Sequence, residues 1–307
     1  MTPEVNILFE SASMTRPHQP VLLDAVLDYL SLQKGDVILD GTIGYAGHSE
    51  HFVKLIGSDG FLIGIDQDQT AIKFCQKQFS YSPNVALFNT NFENAKNCLK
   101  KTGHPHVDAL FVDLGMSSVQ LDSETRGFSF QTDAALDMRM NQEAVLSAYD
   151  VLHSYSEKEL SDVFFKYGQL HQNKILVRHI IEARKTKLNT TNDLIAIVKK
   201  SYFFKNSRKR YIKTLAQVFQ AIRIEVNKEL LVLETLLTQI EGLVAPGGRI
   251  AILSFHSLED KLVKRFFKER KPLFKPLNKQ VIKASNEEIA LNSRAHSALL
   301  RCYERQT

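Results

Sequence analysis

Apolar runs alternate with helically spaced apolar residues along the first part of the chain. The runs that end at Leu39 and Asp66 have the compact apolar character of buried strands, and the segment between them repeats its apolar residues at helical spacing. Strands that alternate with helices predict right-handed βαβ units and a parallel sheet covered on both faces. The predicted strands are Val37–Leu39, Gly60–Asp66, Asn84–Phe92 and Val107–Gly115, and the predicted helices are Val21–Leu30, Ser49–Ile56 and Thr70–Phe79.

This alternation stops after Gly115. Residues 119–213 show helical patterns and loops without a strong strand, a further helical pattern covers 215–243, and a strand signal returns only in GGRIAILSF at 247–255. We therefore predict an α/β fold: a Rossmann-like sheet domain (1–118 and 214–307) that is interrupted by a helical substrate-recognition insert (119–213). Near the C-terminus, KQVIKAS and HSALLRCYER predict a closing antiparallel pair of strands.

Three predicted strands end in an acidic residue, namely Asp40, Asp66 and Asp113. Ligands of open parallel sheets bind beyond the carboxyl ends of the strands. The turn LDGTIGYAGHS follows the first of these acids, and its glycines let a ligand approach the backbone. Its spacing fits neither the P-loop nor the G-x-G-x-x-G pattern, and Asp40 would repel a pyrophosphate. The pattern therefore indicates an adenosine-type cofactor without phosphates, such as S-adenosylmethionine, which carries a ribose, an amine and a positive charge.

Asp66 leaves a second class of cofactor open. It lies 19 residues after Gly47, where an acid commonly accepts hydrogen bonds from ribose hydroxyls in dinucleotide-binding folds. An NAD-dependent oxidoreductase would use the same sheet and the same acid, so Asp66 alone does not distinguish the two classes. The acid at position 40 favours the donor without phosphates.

Composition narrows the class of protein. No apolar run approaches the roughly 18 residues needed to span a bilayer, so we expect no membrane association. The three cysteines form no C-x-x-C pair, which indicates a reducing compartment and a cytoplasmic protein. We expect no metal site, because His104 and His106 flank a proline in a loop and have no carboxylate partners.

The charge is unevenly distributed along the chain. The net charge is +5, yet residues 174–213 contain 12 Lys or Arg against 2 acids, and residues 261–283 contain 9 against 1. Two basic segments on an otherwise acidic body predict binding to a polyanion. Aromatic residues lie among the cations of the first segment, which favours nucleic acid over two merely solvated helix faces. A non-catalytic RNA-binding or assembly protein remains an alternative at this point.

Seven segments of the chain are long enough to compare with known families. They are HQPVLLDAVLDYL, LDGTIGYAGHS, GIDQDQTAI, VDLGMSSVQLDSETRGFSFQTDAALDMRM, VFQAIRIEVNKEL, GGRIAILSFHSLEDKLVKRFF and NSRAHSALLR. Together they resemble the bacterial 16S ribosomal RNA cytosine-N4 methyltransferase family, over roughly His18 to Arg301. The resemblance implies a class I methyltransferase sheet with S-adenosylmethionine as donor. It also implies that the partner is the small ribosomal subunit and that the target is a cytosine in the decoding region of 16S rRNA.

The resemblance also assigns site residues. The family's cofactor contacts correspond to Ala46, Gly47, His48, Asp66, Phe92, Asp113 and Gln120. This chain departs from the family pattern at two positions: the family usually has a glycine where Ala46 stands and a basic residue where His296 stands. The oligomeric state is left open by the sequence, a homodimer being one alternative.

Two residues are the predicted catalytic groups. Amino methyltransferases commonly carry an Asp/Asn/Ser-Pro-Pro-aromatic turn after the fourth strand, but here DLGMSS occupies that place. Asp113 remains as an acceptor for the cytosine amino group or for the cofactor. His256 follows the fifth strand at the same edge of the sheet, which predicts a role on the substrate side. Ser257 and Asp260 have the spacing of a capping box, which predicts a helix start there.

Overall fold

A computed structural model describes residues 20–205 and 207–307 of the chain. Within these residues seven strands form one sheet in the order β3-β2-β1-β4-β5-β7-β6, in which the first five are parallel and β7 is antiparallel to β5 and β6. The predicted α/β fold with a Rossmann-like sheet is confirmed. The strands are β1 Val37–Asp40, β2 Phe61–Asp66, β3 Val85–Asn89, β4 Val107–Asp113, β5 Val244–Ser254, β6 Phe274–Pro276 and β7 Leu299–Arg305.

Helices cover both faces of the sheet and form the insert. Two 3-10 helices, Phe92–Asn94 and Ser293–Ser297, accompany the α-helices. The α-helices are α1 Leu23–Leu30, α2 Ser49–Ile56, α3 Gln69–Gln78, α4 Ala95–Thr102, α5 Ser118–Asp122, α6 Ala148–Ser154, α7 Glu157–Lys166, α8 Lys174–Ala183, α9 Thr191–Ser201, α10 Arg208–Asn227, α11 Glu229–Leu243, α12 Ser257–Glu269 and α13 Asn286–Leu291.

The strands are apolar throughout because helices cover both of their faces. Successive side chains of a strand point to opposite faces. Ile38 therefore packs with α1 and α2 on one face, and its neighbour Leu39 packs with α4 and α11 on the other. Phe111 and Leu110 divide in the same way on β4. This double burial explains why the sequence shows continuous apolar runs rather than alternation.

The helical insert has a core of its own. Buried residues from Phe128 to Val226 form one apolar cluster that is separate from the two clusters on the sheet. The predicted boundary at 213/214 lies inside α10, whose buried residues up to Val226 belong to the insert's cluster. We propose that the insert extends to Asn227, where Lys228 adopts a left-handed conformation (φ 50°) and separates α10 from α11.

The C-terminal pairing differs from the expectation. The segment HSALLRCYER does contain a strand, β7, but its partners are β5 and the short β6. KQVIKAS contributes only an isolated bridge between Ile282 and Leu300. The reason is that β5 has an open edge next to the parallel sheet, and β7 fills it. No helix in the part of the chain that the structure describes is long and apolar enough to cross a membrane.

Candidate active site at the carboxyl edge of the sheet

A cleft of about 730 Å³ opens beyond the carboxyl ends of the parallel strands. Because β1 lies between β2 and β4, the three strand-end acids Asp40, Asp66 and Asp113 meet at this edge, as the sequence predicted. The insert closes the opposite side with Phe130 and Phe219, whose rings lie 5.6 Å apart. The cleft therefore lies between the sheet and the helical insert.

Asp40 supports the glycine turn from within. Its side chain is almost fully buried, and its two carboxylate oxygens accept hydrogen bonds from the Thr42 backbone N–H (3.0 Å) and from Ser49 Oγ (2.6 Å). Burial raises the pKa of Asp40 to about 7, although both hydrogen bonds oppose that shift. Asp40 thus fixes the turn, and near neutral pH it carries only part of the charge that the pyrophosphate argument assumed.

Asp66 connects the end of β2 to the same turn. Its oxygens accept hydrogen bonds from the backbone N–H groups of Gly44 (2.9 Å) and Asp68 (2.8 Å). Burial raises the pKa of Asp66 to about 6, against the effect of these hydrogen bonds. Each carboxylate oxygen has a second lone pair, so Asp66 can hold the turn and accept a hydrogen bond from a ligand at the cleft wall.

Asp113 has a carboxylate that no described residue engages by a hydrogen bond. Its backbone N–H donates to Thr42 Oγ1 (2.7 Å), which ties β4 to the glycine turn, while its side chain lines the cleft. Burial, followed by the negative charges of Asp40 and Glu259, raises the pKa of Asp113 to about 8. A partly buried carboxylate without a protein partner calls for an explanation, and a ligand in the cleft supplies one.

Two of the three carried-over residues of the glycine turn line the cleft. Gly47 and His48 line the cleft, but Ala46 does not: its methyl group is buried in the core of the sheet at a left-handed φ of 61°. That conformation favours glycine, which accounts for the glycine usual in the resembled family. His48 Nε2 donates to the Val21 carbonyl oxygen (3.0 Å). His48 therefore positions the chain before α1 beside the turn, and its side chain does not cap α2.

Phe92 and Gln120 complete the carried-over set, and both line the cleft. Gln120 Nε2 donates to Asp68 Oδ2 (2.9 Å), and Gln120 Oε1 accepts from the Ser117 backbone N–H (3.1 Å). Both the nitrogen and the oxygen of the Gln120 side-chain amide are therefore already hydrogen-bonded within the protein. The predicted cofactor contact of Gln120 would be made in addition to these bonds. Asp68 is a cleft residue that the sequence did not single out; the available signal was its position two residues after Asp66.

Buried Arg126, the first residue of the segment RGFSF, contacts both Asp68 and the segment LDMRM. Its Nη2 donates to the carbonyl oxygens of Arg139 (2.6 Å) and Met140 (3.1 Å), and its Nη1 lies 3.6 Å from Asp68 Oδ2. The unusual RGFSF and LDMRM motifs thus hold each other beside the cofactor loop. Arg126 packs the junction between the sheet domain and the insert, and it is not among the residues that line the cleft.

His256 is itself the cap of α12. Its Nδ1 accepts from the Glu259 backbone N–H (3.3 Å), and Glu259 Oε2 accepts from the His256 backbone N–H (3.2 Å). The predicted helix start is confirmed, but the predicted capping pair Ser257 and Asp260 is wrong by one residue. Asp260 instead forms a two-bond ion pair with Arg301 (2.6 and 3.1 Å). The spacing rule missed this because it considers only hydroxyl and short polar caps.

One nitrogen of the His256 ring, Nε2, is buried. It lies 3.2 Å from Glu259 Oε1, yet it makes no hydrogen bond of acceptable geometry within the described residues. Burial opposes the ionisation of Glu259, but the His256 ring and Arg223 hold the pKa of Glu259 below its usual range. His256 as a residue lines the cleft, while its Nε2 is buried beside Glu259.

Three residues around His256 are close enough together to bind a metal ion, but an arginine already pairs with one of the acids. Ligand atoms of Glu229, His256 and Glu259 lie within 4.8 Å of one another. Arg223 binds both oxygens of Glu229 at 2.8 Å, and it is buried beside them. A cation would have to displace that guanidinium, so we assign the cluster to the protein's own ion pairs. Arg223, Glu229 and Glu259 were missed from the sequence, because they come together only in the fold.

The cleft fits a cationic, phosphate-free adenosine compound. The charged residues that line it are mainly acids: Asp40, Asp66, Asp68, Asp113, Glu229 and Glu259 stand against Arg223 and Arg294. Its backbone floor includes Gly41, where an added Cβ would lie 3.3 Å from Val112 Cγ2, and Gly115 with a φ of +104°. The acids attract a sulfonium and an ammonium, and they repel a pyrophosphate.

Comparison with known proteins agrees with this chemistry. The sequence model of the MraW methylase family matches residues 15–306. The "Ribosomal RNA small subunit methyltransferase H" of Dictyoglomus thermophilum is 40% identical over 292 residues, which cover 94% of this chain and 97% of that protein. The protein of the same name from Streptococcus mutans serotype c is 41% identical over 308 residues, with 94% and 97% covered.

Among solved structures, a putative rRNA-methylase from Clostridium thermocellum is similar with a TM-score of 0.47 and 13% identity, covering 94% of this chain and 98% of that one. An rRNA methylase from Streptococcus thermophilus has a TM-score of 0.43 and 11% identity, covering 96% and 100%.

Replacing Asp66 should weaken donor binding. Asp66→Ala removes a charged acceptor worth about 1.5–3 kcal/mol, so S-adenosylhomocysteine should bind roughly 10- to 150-fold more weakly in calorimetry. Asp66→Asn, which keeps one acceptor oxygen, should lose less. The matched control is Asp59→Ala, in the exposed turn before the other end of β2, and it should bind as the wild type does. Wild-type affinity of Asp66→Ala would remove Asp66 from the donor site.

Donor binding should depend on pH in a way that reports the raised acid pKa values. A sulfonium favours the ionised form of nearby carboxyls, so at low pH its binding must first expel protons. Asp66, Asp40 and Asp113 have pKa values of about 6, 7 and 8. Affinity for S-adenosylmethionine should therefore increase several-fold as the pH is raised from about 6 to about 8. S-adenosylhomocysteine, which lacks the sulfonium charge, is the control and should respond less. Parallel curves for the two compounds would contradict this electrostatic account.

Proposed function

Because the chain belongs to the MraW methylase family, we propose that it transfers a methyl group from S-adenosylmethionine to the exocyclic N4 amino group of a cytosine in small-subunit ribosomal RNA. The observation that carries the reaction is the Asp113 carboxylate, which lines the cleft beside the glycine turn without a hydrogen-bond partner among the described residues. The direct test is incorporation of labelled methyl from the donor into the RNA of small ribosomal subunits.

The donor is held between the glycine turn and the ends of β2 and β4. When bound, S-adenosylmethionine supplies a methyl group that its sulfonium already activates. Asp66 offers acceptor lone pairs for the ribose, and the Phe92 ring lines the wall of the cleft near the following loop. Gly47 and Gly115 line the cleft with backbone. Because the donor is preactivated, the task of the protein is alignment and the exclusion of water.

Asp113 meets the chemical need of a cytosine amino group. That nitrogen is a poor nucleophile, because its lone pair is delocalised into the ring. A carboxylate that accepts a hydrogen bond from the amino group orients the lone pair, and it receives the proton as the nitrogen gains its methyl group. The pKa of Asp113 is raised to about 8, so once ionised, as a nearby sulfonium charge favours, the carboxylate is a stronger base than an ordinary aspartate.

His256 acts on the base from the β5 side. His256 lines the cleft, and its ring is held there because Nδ1 accepts from the Glu259 backbone N–H (3.3 Å) and Nε2 lies 3.2 Å from Glu259 Oε1. The ring packs against the pyrimidine edge of the base, while Asp113 holds the amino group.

The RNA is bound by the insert. The target base must leave its stack to reach a cleft inside the protein, which suits single-stranded or loosely structured RNA. In the first basic segment, Arg184 binds the Leu152 and Tyr155 carbonyl oxygens and Lys187 pairs with Asp193 at 3.4 Å. The seven cations between residues 199 and 213 are exposed, and none of them forms an ion pair with a described residue. They are the phosphate contacts.

The two alternatives from the sequence lose their support. An acid-rich cleft disfavours the pyrophosphate of NAD, and the relatives are named as methyltransferases rather than as assembly proteins. Three features stay predictions: the decoding region as the target, the cytoplasmic location and the homodimer. A ribosomal substrate is consistent with that location.

Asp113→Asn separates a catalytic role from a donor-binding role. The substitution keeps the shape and one acceptor oxygen but loses the charge, so single-turnover rates at saturating donor should fall more than about tenfold, equivalent to about 1.4 kcal/mol of barrier. Affinity for S-adenosylhomocysteine should change little. Asp108→Asn, at the exposed opposite end of the same strand, is the control and should react normally. Reduced donor affinity with a normal rate would assign Asp113 to the cofactor alone.

Replacing the cations at the start of α10 should weaken RNA binding and its salt dependence. For Arg208→Ala/Lys209→Ala/Arg210→Ala, the slope of log affinity against log salt should become shallower by roughly 0.7 per lost phosphate contact on single strands. Affinity for S-adenosylhomocysteine should be unaffected. The control replaces three exposed lysines outside both basic segments, Lys73, Lys77 and Lys96. If both triple variants behave alike, the α10 cations are only a solvated face.

A further inference from the structure

One aromatic residue of the first basic segment differs from the others. Tyr202, Phe204 and Tyr211 pack together, with ring centroids 6.1 and 5.1 Å apart, against the core of the insert. Phe203, between them in sequence, is 77% exposed. A large apolar side chain that is this exposed has no packing role in the fold, whereas its neighbours anchor the segment that presents it.

Cations surround this exposed ring along the chain. Phe203 lies in the connection between α9 and α10, and no acidic residue occurs between Asp193 and Glu225. Seven exposed cations occupy the last turn of α9, the connection and the first turns of α10: Lys199, Lys200, Lys205, Arg208, Lys209, Arg210 and Lys213. None of them forms an ion pair with a described residue, so the surface attracts a polyanion.

The start of α10 adds to this field. The amino end of a helix carries a partial positive charge, yet the first turn of α10 holds Arg208, Lys209 and Arg210 and no acid. Cations are unfavourable at this end, so the helix is stabilised when an anion binds there. The charge therefore argues for a nucleic acid strand and against a second copy of this chain, because two such surfaces would repel each other.

We propose that Phe203 stacks on an unpaired nucleobase of the RNA whose phosphates these seven cations bind. The inference rests on the proposed function and identifies a contact outside the catalytic cleft. Every base has a π-face, so such a contact tolerates any sequence, and together with flanking cations it is how single strands are commonly bound.

The stacked base is not the target cytosine. Ala216 is the first cleft-lining residue on α10, about two turns after the basic start of the helix. Along the helix Arg208 and Ala216 are separated by about 12 Å, at roughly 1.5 Å per residue, and Phe203 lies before Arg208. Phe203 therefore contacts a nucleotide distant from the reacting one, and it acts on RNA affinity without acting on the methyl-transfer step.

Substitutions at Phe203 distinguish an aromatic contact from a merely apolar one. Phe203→Ala should bind a single-stranded RNA oligonucleotide about 5- to 150-fold more weakly. Phe203→Leu should lose nearly as much, and Phe203→Trp should retain binding. The salt dependence should stay as in the wild type, since no charge is removed. An oligonucleotide with a fluorescent base analogue should be quenched by the wild type and by Phe203→Trp but not by Phe203→Leu.

The control is another exposed phenylalanine of the insert. Phe165 on α7 is 51% exposed and lies outside the segment of seven cations, so Phe165→Ala should bind RNA normally. Wild-type RNA affinity of Phe203→Ala, or a loss of self-association in sedimentation without a loss of RNA binding, would overturn the inference. If the wild type binds RNA through Phe203 but transfers no methyl group to it, the proposed function fails and the stacking contact stands.

Discussion

The alignment of β1 and β4 side by side is the constraint on which the site depends. The Gly41 backbone N–H donates to the Phe111 carbonyl oxygen (2.9 Å), and the Asp113 N–H donates to Thr42 Oγ1 (2.7 Å). These two bonds fix the glycine turn against the end of β4. They also force the carboxyls at the ends of neighbouring strands together in a poorly solvated place, which raises their pKa values and makes the cleft selective for cations.

The insert is attached to this edge by polar contacts rather than by a shared apolar core. Arg126 reaches Asp68 behind the ribose acid, and Arg223 binds Glu229 across the break between α10 and α11. The same long helix carries exposed cations at its start and cleft-lining residues near its end. One helix therefore links the surface proposed to bind RNA to the proposed site of methyl transfer.

Several features were predictable because they depend on local pattern. The apolar runs identified the parallel strands, and the acids after them identified the edge at which a ligand binds. One assignment failed for a local reason. The cap of α12 is His256 with Glu259, because a histidine nitrogen can replace a hydroxyl as the acceptor. The cofactor contact of Ala46 stays a prediction; its methyl group is buried in the core at a left-handed φ.

The sequence alone determined the order of strands and helices, the presence of a helical insert, the chemistry of the cofactor and the polyanionic partner, since periodicity, strand-end acids and charge are properties of short segments. Only the tertiary structure decided which groups are engaged. It showed that the Asp40 and Gln120 side chains are hydrogen-bonded within the protein, while no described residue bonds the Asp113 carboxylate. It also showed that Phe203 is exposed while Tyr202 and Phe204 are packed. Such differences depend on contacts between residues far apart in the chain, and no local pattern encodes them.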